Sequence, residues 1–238
     1  MKFDIVSIFP ELFDAPLSCG MIRVAREKGI ISVNTIDPRA MTSDGVIDDY
    51  QFGGGAGMVF KPEPLTSALE SVLTKDSTLV SLTPKGERLT QKMVADLTRH
   101  KHIVLICGRY KGVDERINEI FKPMEISIGD YVLSGGEIAA LAIIDTITRL
   151  LTGVLGNKDS ADSDSFQTNL LEAPIYTRPH VFMKYRVPEV LRGGNHKQIT
   201  EWRRRKSLEA TLERRPDLLA NSVFSKKDFE ILLEVLNG

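Results

Sequence analysis

Short apolar runs of strand length recur through the first 130 residues, with helical periodicity between them. That alternation commits the chain to an α/β fold with a mainly parallel sheet. Strands are predicted over residues 3–8, 30–36, 79–82, 103–106 and 125–128. Pro10 suits the first turn of a helix after the first strand, and Asp37-Pro38 ends the second. Between the third and fourth strands, residues 90–98 read as a helix with Leu89, Met93, Val94 and Leu97 on one face. A longer helix is predicted from Ser134 to about Leu151. With 238 residues, 42% of them hydrophobic and 26% charged, the chain can bury a substantial core. It is therefore not collagen-like, not a coiled coil and not wholly disordered. Apolar runs stay short of the ~20 residues a membrane span needs; 138–151 is interrupted by Asp145, Thr146 and Arg149. The first residues lack the apolar region of a signal peptide. Cys19 and Cys107 cannot form a disulfide framework, so a cytoplasmic location is expected.

The net charge of −1 conceals an asymmetry. Residues 176–215 carry eleven Lys/Arg against four Glu, a net of +7, and the rest of the chain carries −8. Such clustering is the electrostatic footprint of a nucleic-acid partner, or else a solvated basic helix face. Composition also changes near Gly156. Residues 157–167 (NKDSADSDSFQ) are polar and acidic and read as a linker or a mobile lid. Beyond Pro188, Ile199, Trp202, Leu208 and Leu212 recur at helical spacing, Pro216 stops that helix, and 229–236 forms a final one. The plan is an α/β domain (1–156), a linker (157–172) and a basic helical domain (173–238).

Four segments have unusual local chemistry. YQFGGGAGM (50–58) lets backbone approach a ligand closely, or is simply a flexible loop; it matches neither a dinucleotide fingerprint nor a P-loop. CGRYKGVDER (107–116) follows a buried strand, where open α/β sheets place ligands; the plainer reading is a turn with Asp114 capping the next helix. SIGDYVLSGGE (127–137) contains Ser134-x-x-Glu137, a capping box. Gly135 and Gly136 in that first turn lower helix propensity by ~1 kcal/mol each, so the segment reads either as a pocket wall that needs close backbone approach to a small adenosine-like ligand or as an ordinary capped helix. SADSDSF (160–166) offers Asp162 and Asp164, either solvated or as a catalytic carboxylate on a lid. His100, His102, His180 and His196 lack zinc spacing, so no resident metal is expected.

Together these segments, with FDIVSIFPELF, DDYQFGGGAGM, GVLG, YTRP and EWRRRKSL, resemble the bacterial tRNA (guanine-N1)-methyltransferases of the knotted SPOUT class along essentially the whole chain. The resemblance implies a parallel sheet with a deep C-terminal trefoil knot and a small all-α C-terminal domain. It implies S-adenosyl-L-methionine held by Leu82, Thr83 and Pro84, by Gly108, by Ile128, Gly129, Asp130, Tyr131, Val132 and Leu133, and by Gly135 and Gly136. The implied reaction methylates N1 of the guanosine 3′-adjacent to the anticodon (position 37). Asp164 would be the general base, and Arg149 would stabilise charge developing on guanine O6. It further implies a homodimer with its active site at the subunit interface, and tRNA gripped through Arg178, Arg203, Arg204, Arg205 and Lys206. A need for Mg²⁺ is compatible with the family but not derivable from these residues.

Three departures from the family's pattern, at four positions, stand out: Lys111 where Glu is usual, Ser81 where many members are aromatic, and Gly193 and Asn195 in a usual Ser-Gly-His-His run. Competing readings are a non-catalytic RNA-binding protein, whose affinity would ignore cofactor, and a nucleotide-dependent oxidoreductase, which lacks its fingerprint. At 100° per residue, residues 203–206 cannot all face one way, so some must face core or linker.

Overall fold

Five parallel strands build the sheet: β1 (Lys2–Val6), β2 (Ser32–Ile36), β5 (Ser77–Arg88), β6 (His102–Cys107) and β7 (Met124–Ser127), in the order β2-β1-β6-β5-β7. The computed structural model describes residues 1–154 and 164–237. They fall into two compact units, Met1–Gly156 and Asn157–Gly238. Most of the expected 157–167 segment, Asp162 included, lies outside the described residues.

Every residue of central β6 is buried, as a strand covered on both faces must be. Alternation splits its side chains between two cores. Ile103, Leu105 and Cys107 join a cluster with Phe3, Ile5, Ala140, Ile143 and Ile147. Val104 and Ile106 face Leu65, Leu69 and Ile117 on the other side. Each fully buried Ile or Leu there is worth about 1.5–3 kcal/mol. The helices supplying these layers are α1 (Asp14–Leu17), α2 (Gly20–Glu27), α3 (Pro62–Glu70), α4 (Gln91–Leu97), α5 (Glu115–Phe121) and α6 (Glu137–Leu150). Thr90 caps α4 by accepting from the Met93 N–H, and Asp114 caps α5 by accepting from the Arg116 N–H.

Two features of this unit escape a reading by periodicity. The glycine-rich segment is the tip of a hairpin, β3 (Asp48–Tyr50) with antiparallel β4 (Met58–Phe60), whose strands are too short to show a period. The pairing of β5 with β7 is also irregular. Leu82 and Glu87 both pair with Ile126, with residues 83–86 bulging between them. At Gly86 the chain passes so close to β7 that a Cβ would stand 2.4 Å from the backbone of Glu125 and Ile126.

The second unit is built on α7 (His196–Arg214) and α8 (Lys226–Asn237), with Leu170, Leu208 and Ile231 at its core. The expectation of an all-α unit needs correction, because β8 (Val181–Phe182) and β9 (Tyr185–Arg186) form an antiparallel pair. Met183, at φ 54°, turns the chain between two β-favouring aromatics, and strands of two residues leave no periodic signal. Asn195 is the N-cap of α7 and accepts from the Gln198 N–H.

Candidate active site

The carboxyl ends of β5, β6 and β7 open onto one cavity of about 250 Å³, the position where open α/β sheets bind ligands. Leu82, Thr83 and Pro84 form one wall, Gly108 and the turn after it a second. Ile128, Gly129, Tyr131, Val132, Leu133, Gly135 and Gly136 form the third. Asp130 does not line the cavity; it is exposed, as are Tyr131 and Val132, but those two border the cavity and Asp130 does not. The Tyr131 hydroxyl donates to the Ile128 carbonyl (3.2 Å) and closes the 128–131 turn on itself.

The long helix opens at Glu137, three residues later than expected, and no side chain caps it. The capping box is therefore not formed. Glu137 is taken instead by groups remote in sequence. Ser7 Oγ donates to its Oε1 (2.9 Å), and Arg109 Nε donates to both oxygens (3.2 and 3.3 Å). The Arg109 guanidinium lies 4.4 Å from the centroid of the Phe9 ring. A carboxylate only 2% exposed must be compensated in this way, and the helix N-terminus adds favourable dipole.

This changes the meaning of the paired glycines. A Cβ on Gly135 would fall 2.4 Å from Glu137 Oε2 and 2.5 Å from Arg109 Nε; one on Gly136 would fall 2.8 Å from Cys107 Cα. Both are small because protein, not ligand, occupies the space. The buried Cys107 thiol is pushed well above its ordinary pKa by burial first and by the Glu137 charge second, which leaves it a core residue rather than a nucleophile.

The hairpin is tied to the second wall. Lys111 N–H donates to the Met58 carbonyl (3.0 Å), Asp114 N–H to the Phe60 carbonyl (3.1 Å), and the Lys111 stem lies where a Cβ on Gly57 would sit. Lys85, Lys111, Glu115 and Glu125 also reach the cavity, so both charge signs border it. Burial, followed by the Asp48 carboxylate, raises the pKa of Tyr110, whose backbone is left-handed (φ 60°).

The two expected catalytic residues belong to different units. Arg149 is exposed in the last turn of α6. Asp164 borders a second cavity of about 890 Å³ within the second unit, lined also by Tyr176, Arg178, His180, Arg192, Arg203 and Arg204. The four cations 203–206 divide as their helical spacing requires. Arg204 makes two bonds to Asp228 (2.8 and 3.0 Å), Arg205 pairs with Glu234, and Lys206 pairs with Glu209. Arg203 is exposed and has no carboxylate partner among the described residues.

Ser7, Phe9 and Arg109 were not singled out by sequence, and Glu137 was read only as half of a local capping box. Arg109 and Glu137 lie inside motifs that were, but their pairing spans 28 residues and Ser7 stands 130 residues from Glu137. Among the described residues, no three His, Cys, Asp or Glu side chains are placed to hold a metal ion, and no helix is long and apolar enough to cross a membrane.

The tRNA (Guanine-1)-methyltransferase TrmD family matches the chain over residues 1–221. Among curated relatives, the tRNA (guanine-N(1)-)-methyltransferase of Dictyoglomus turgidum is 45% identical, over 99% of this chain and 96% of that protein. The proteins of the same description from Moorella thermoacetica and Carboxydothermus hydrogenoformans are each 48% identical, over 99% and 98% of this chain and 96% and 92% of their own lengths.

Proposed function

We propose, since the chain belongs to the tRNA (guanine-1)-methyltransferase family, that this methylation of tRNA guanine N1 uses S-adenosyl-L-methionine and falls on the guanosine 3′-adjacent to the anticodon. The observation that carries the reading is the three-walled cavity at the sheet's carboxyl edge. Its chemistry suits the donor. Leu82, Pro84, Ile128 and Leu133 offer apolar faces to an adenine ring, and the backbone of 128–135 offers polar edges. Glu125 favours a sulfonium cation and Lys111 a carboxylate, while Lys85 and Glu115 pair with each other (3.8 Å). Lys111, a cation where the family usually places Glu, shifts that balance toward the carboxylate end.

When bound, the donor supplies a methyl group on sulfur, a leaving group that departs without protonation. The chain's own residues then have two tasks. Asp164 accepts the N1 proton as the N–C bond forms, and Arg149 opposes negative charge gathering on guanine O6. A carboxylate is a weak base for that proton, so its worth depends on placement. Arg149 and Asp164 belong to different units, and in this reading a homodimer completes the active site across the subunit interface. The second unit holds tRNA through Arg178 and Arg203, with Arg204, Arg205 and Lys206 adding to the field of the same helix. The trefoil-knotted passage enters this reading from the family resemblance.

Transfer of labelled methyl from S-adenosyl-L-methionine to a tRNA transcript tests this directly. Asp164→Ala is expected to slow transfer by ~10²–10⁴-fold, and a transcript with adenosine at the target position should take no label. Undiminished transfer in either arm would overturn the assignment.

A further inference from the structure

We infer that Glu137 is a positioning residue for the methyl-donor pocket, fixing one wall of the cavity against another through Arg109 and Ser7. The inference rests on reading that cavity as the donor site. Three segments far apart in sequence converge on one carboxylate: the end of β1 at Ser7, the turn after β6 at Arg109, and the start of α6 at Glu137 itself. Arg109 and Gly135 line the cavity, whereas Glu137 and Ser7 stand behind that lining. The wall is cross-braced by backbone as well. Gly136 N–H donates to the Gly108 carbonyl (3.0 Å), and Arg109 bridges Gly135 in antiparallel fashion.

Gly135 is the mark of this arrangement, since any side chain there would displace the Arg109–Glu137 pair. Ser7 extends the brace: its oxygen accepts from the Phe9 N–H (3.1 Å) while its proton goes to Glu137. Arg109 in turn stacks on Phe9. The loop after β1 and the two pocket walls are thus held in one register by a charge that never meets the ligand. Such a residue acts on donor affinity and leaves the reacting groups alone.

The test is calorimetric titration of S-adenosyl-L-methionine and of S-adenosyl-L-homocysteine into the wild type, Glu137→Gln and Ser7→Ala, well below each protein's Tm. tRNA affinity and kinetics are measured alongside. The glutamine keeps size and the acceptor for Ser7, but sets an N–H group against Arg109 Nε. We expect Kd for both ligands to rise about tenfold in Glu137→Gln and about threefold in Ser7→Ala. KM for the donor should rise in step, while kcat at saturating donor and tRNA affinity stay within about twofold. Donor Kd unchanged in the variants overturns the inference and spares the pocket assignment. Loss of donor and tRNA affinity together with a fall in Tm also overturns it, in favour of a merely structural role. Should Glu137→Gln fail to fold, Ser7→Ala decides by the same criteria. A folded wild type that binds neither ligand overturns the pocket assignment and this inference with it.

Discussion

Each unit draws an arginine–carboxylate pair away from solvent, and the two pairs are built differently. In the second unit Arg204 presents two nitrogens to the two oxygens of Asp228, and Asp228 also accepts from the backbone N–H and hydroxyl of Ser225, both at 2.8 Å. That carboxylate is saturated. Its pKa is held far below the usual range, chiefly by the Arg204 bonds, against a smaller opposing effect of burial. In the first unit Arg109 offers one nitrogen, shared between two oxygens at longer distances, and Ser7 supplies the third contact. A saturated bidentate pair fastens α7 to α8. A shared single-nitrogen contact sets a spacing between loops and leaves the rest of the guanidinium to stack on Phe9. The comparison teaches that a paired arginine can serve stability or shape, and that donor count and distance distinguish the two.

The contrast can be broken most forcefully at Arg204. Arg204→Ala leaves Asp228, 4% exposed, without its cation. The expected loss is ~2 kcal/mol in unfolding of the second unit, below the fully buried range because Arg204 is itself about a third exposed. The pH dependence follows from the same pair. Because folding depresses the pKa of Asp228, its contribution is present above the unfolded value of about 3.9 and is lost as pH falls through the folded one. Thermal melts between pH 6 and pH 3 should therefore show a shallower decline for Arg204→Ala than for the wild type.

A smaller effect is expected at Gly135→Ala, which displaces Arg109 and Glu137 together: a fall of about tenfold in donor affinity with the second unit's acid response unchanged. Smallest is Arg203→Ala. Its guanidinium is exposed, so Tm should hold, while the slope of log K for tRNA against log salt should fall by about 1. If Arg203→Ala and Arg204→Ala gave the same melts and the same salt slopes, the division of that cationic run would be wrong.

Much of the sheet was legible because buried parallel strands are long apolar runs; IVLI within β6 can hardly be anything else. Asp114 was legible as a cap because a cap is a local contract between neighbours. Ser134 and Glu137 were misleading for the same reason. Their spacing satisfies a local rule, but a stronger partner at Arg109 and another at Ser7 claim the carboxylate, and no local pattern encodes them. The helix start moved to Glu137 accordingly. The loops around the cavity were legible as glycine-rich and polar, yet nothing local separates Asp130 from the neighbours that border the cavity; that depends on the turn closed by Tyr131. In the basic run, helical spacing required that the four cations diverge; which one pairs with Asp228 depends on a residue 24 positions away.

The strand order carries a consequence for how the chain is made. β1 lies beside β6, so residue 2 is matched with residue 102. Until residues 102–107 leave the ribosome, the nascent chain can offer β1 only one neighbour, β2, and Phe3, Ile5 and Val6 lack the central strand that covers them in the finished sheet. The first hundred residues must therefore wait, partly unsatisfied, for the strand that completes the middle of the sheet. At synthesis rates of roughly 5–20 residues per second that interval lasts several seconds, during which the exposed edge of β1 is open to any chaperone that binds apolar strands.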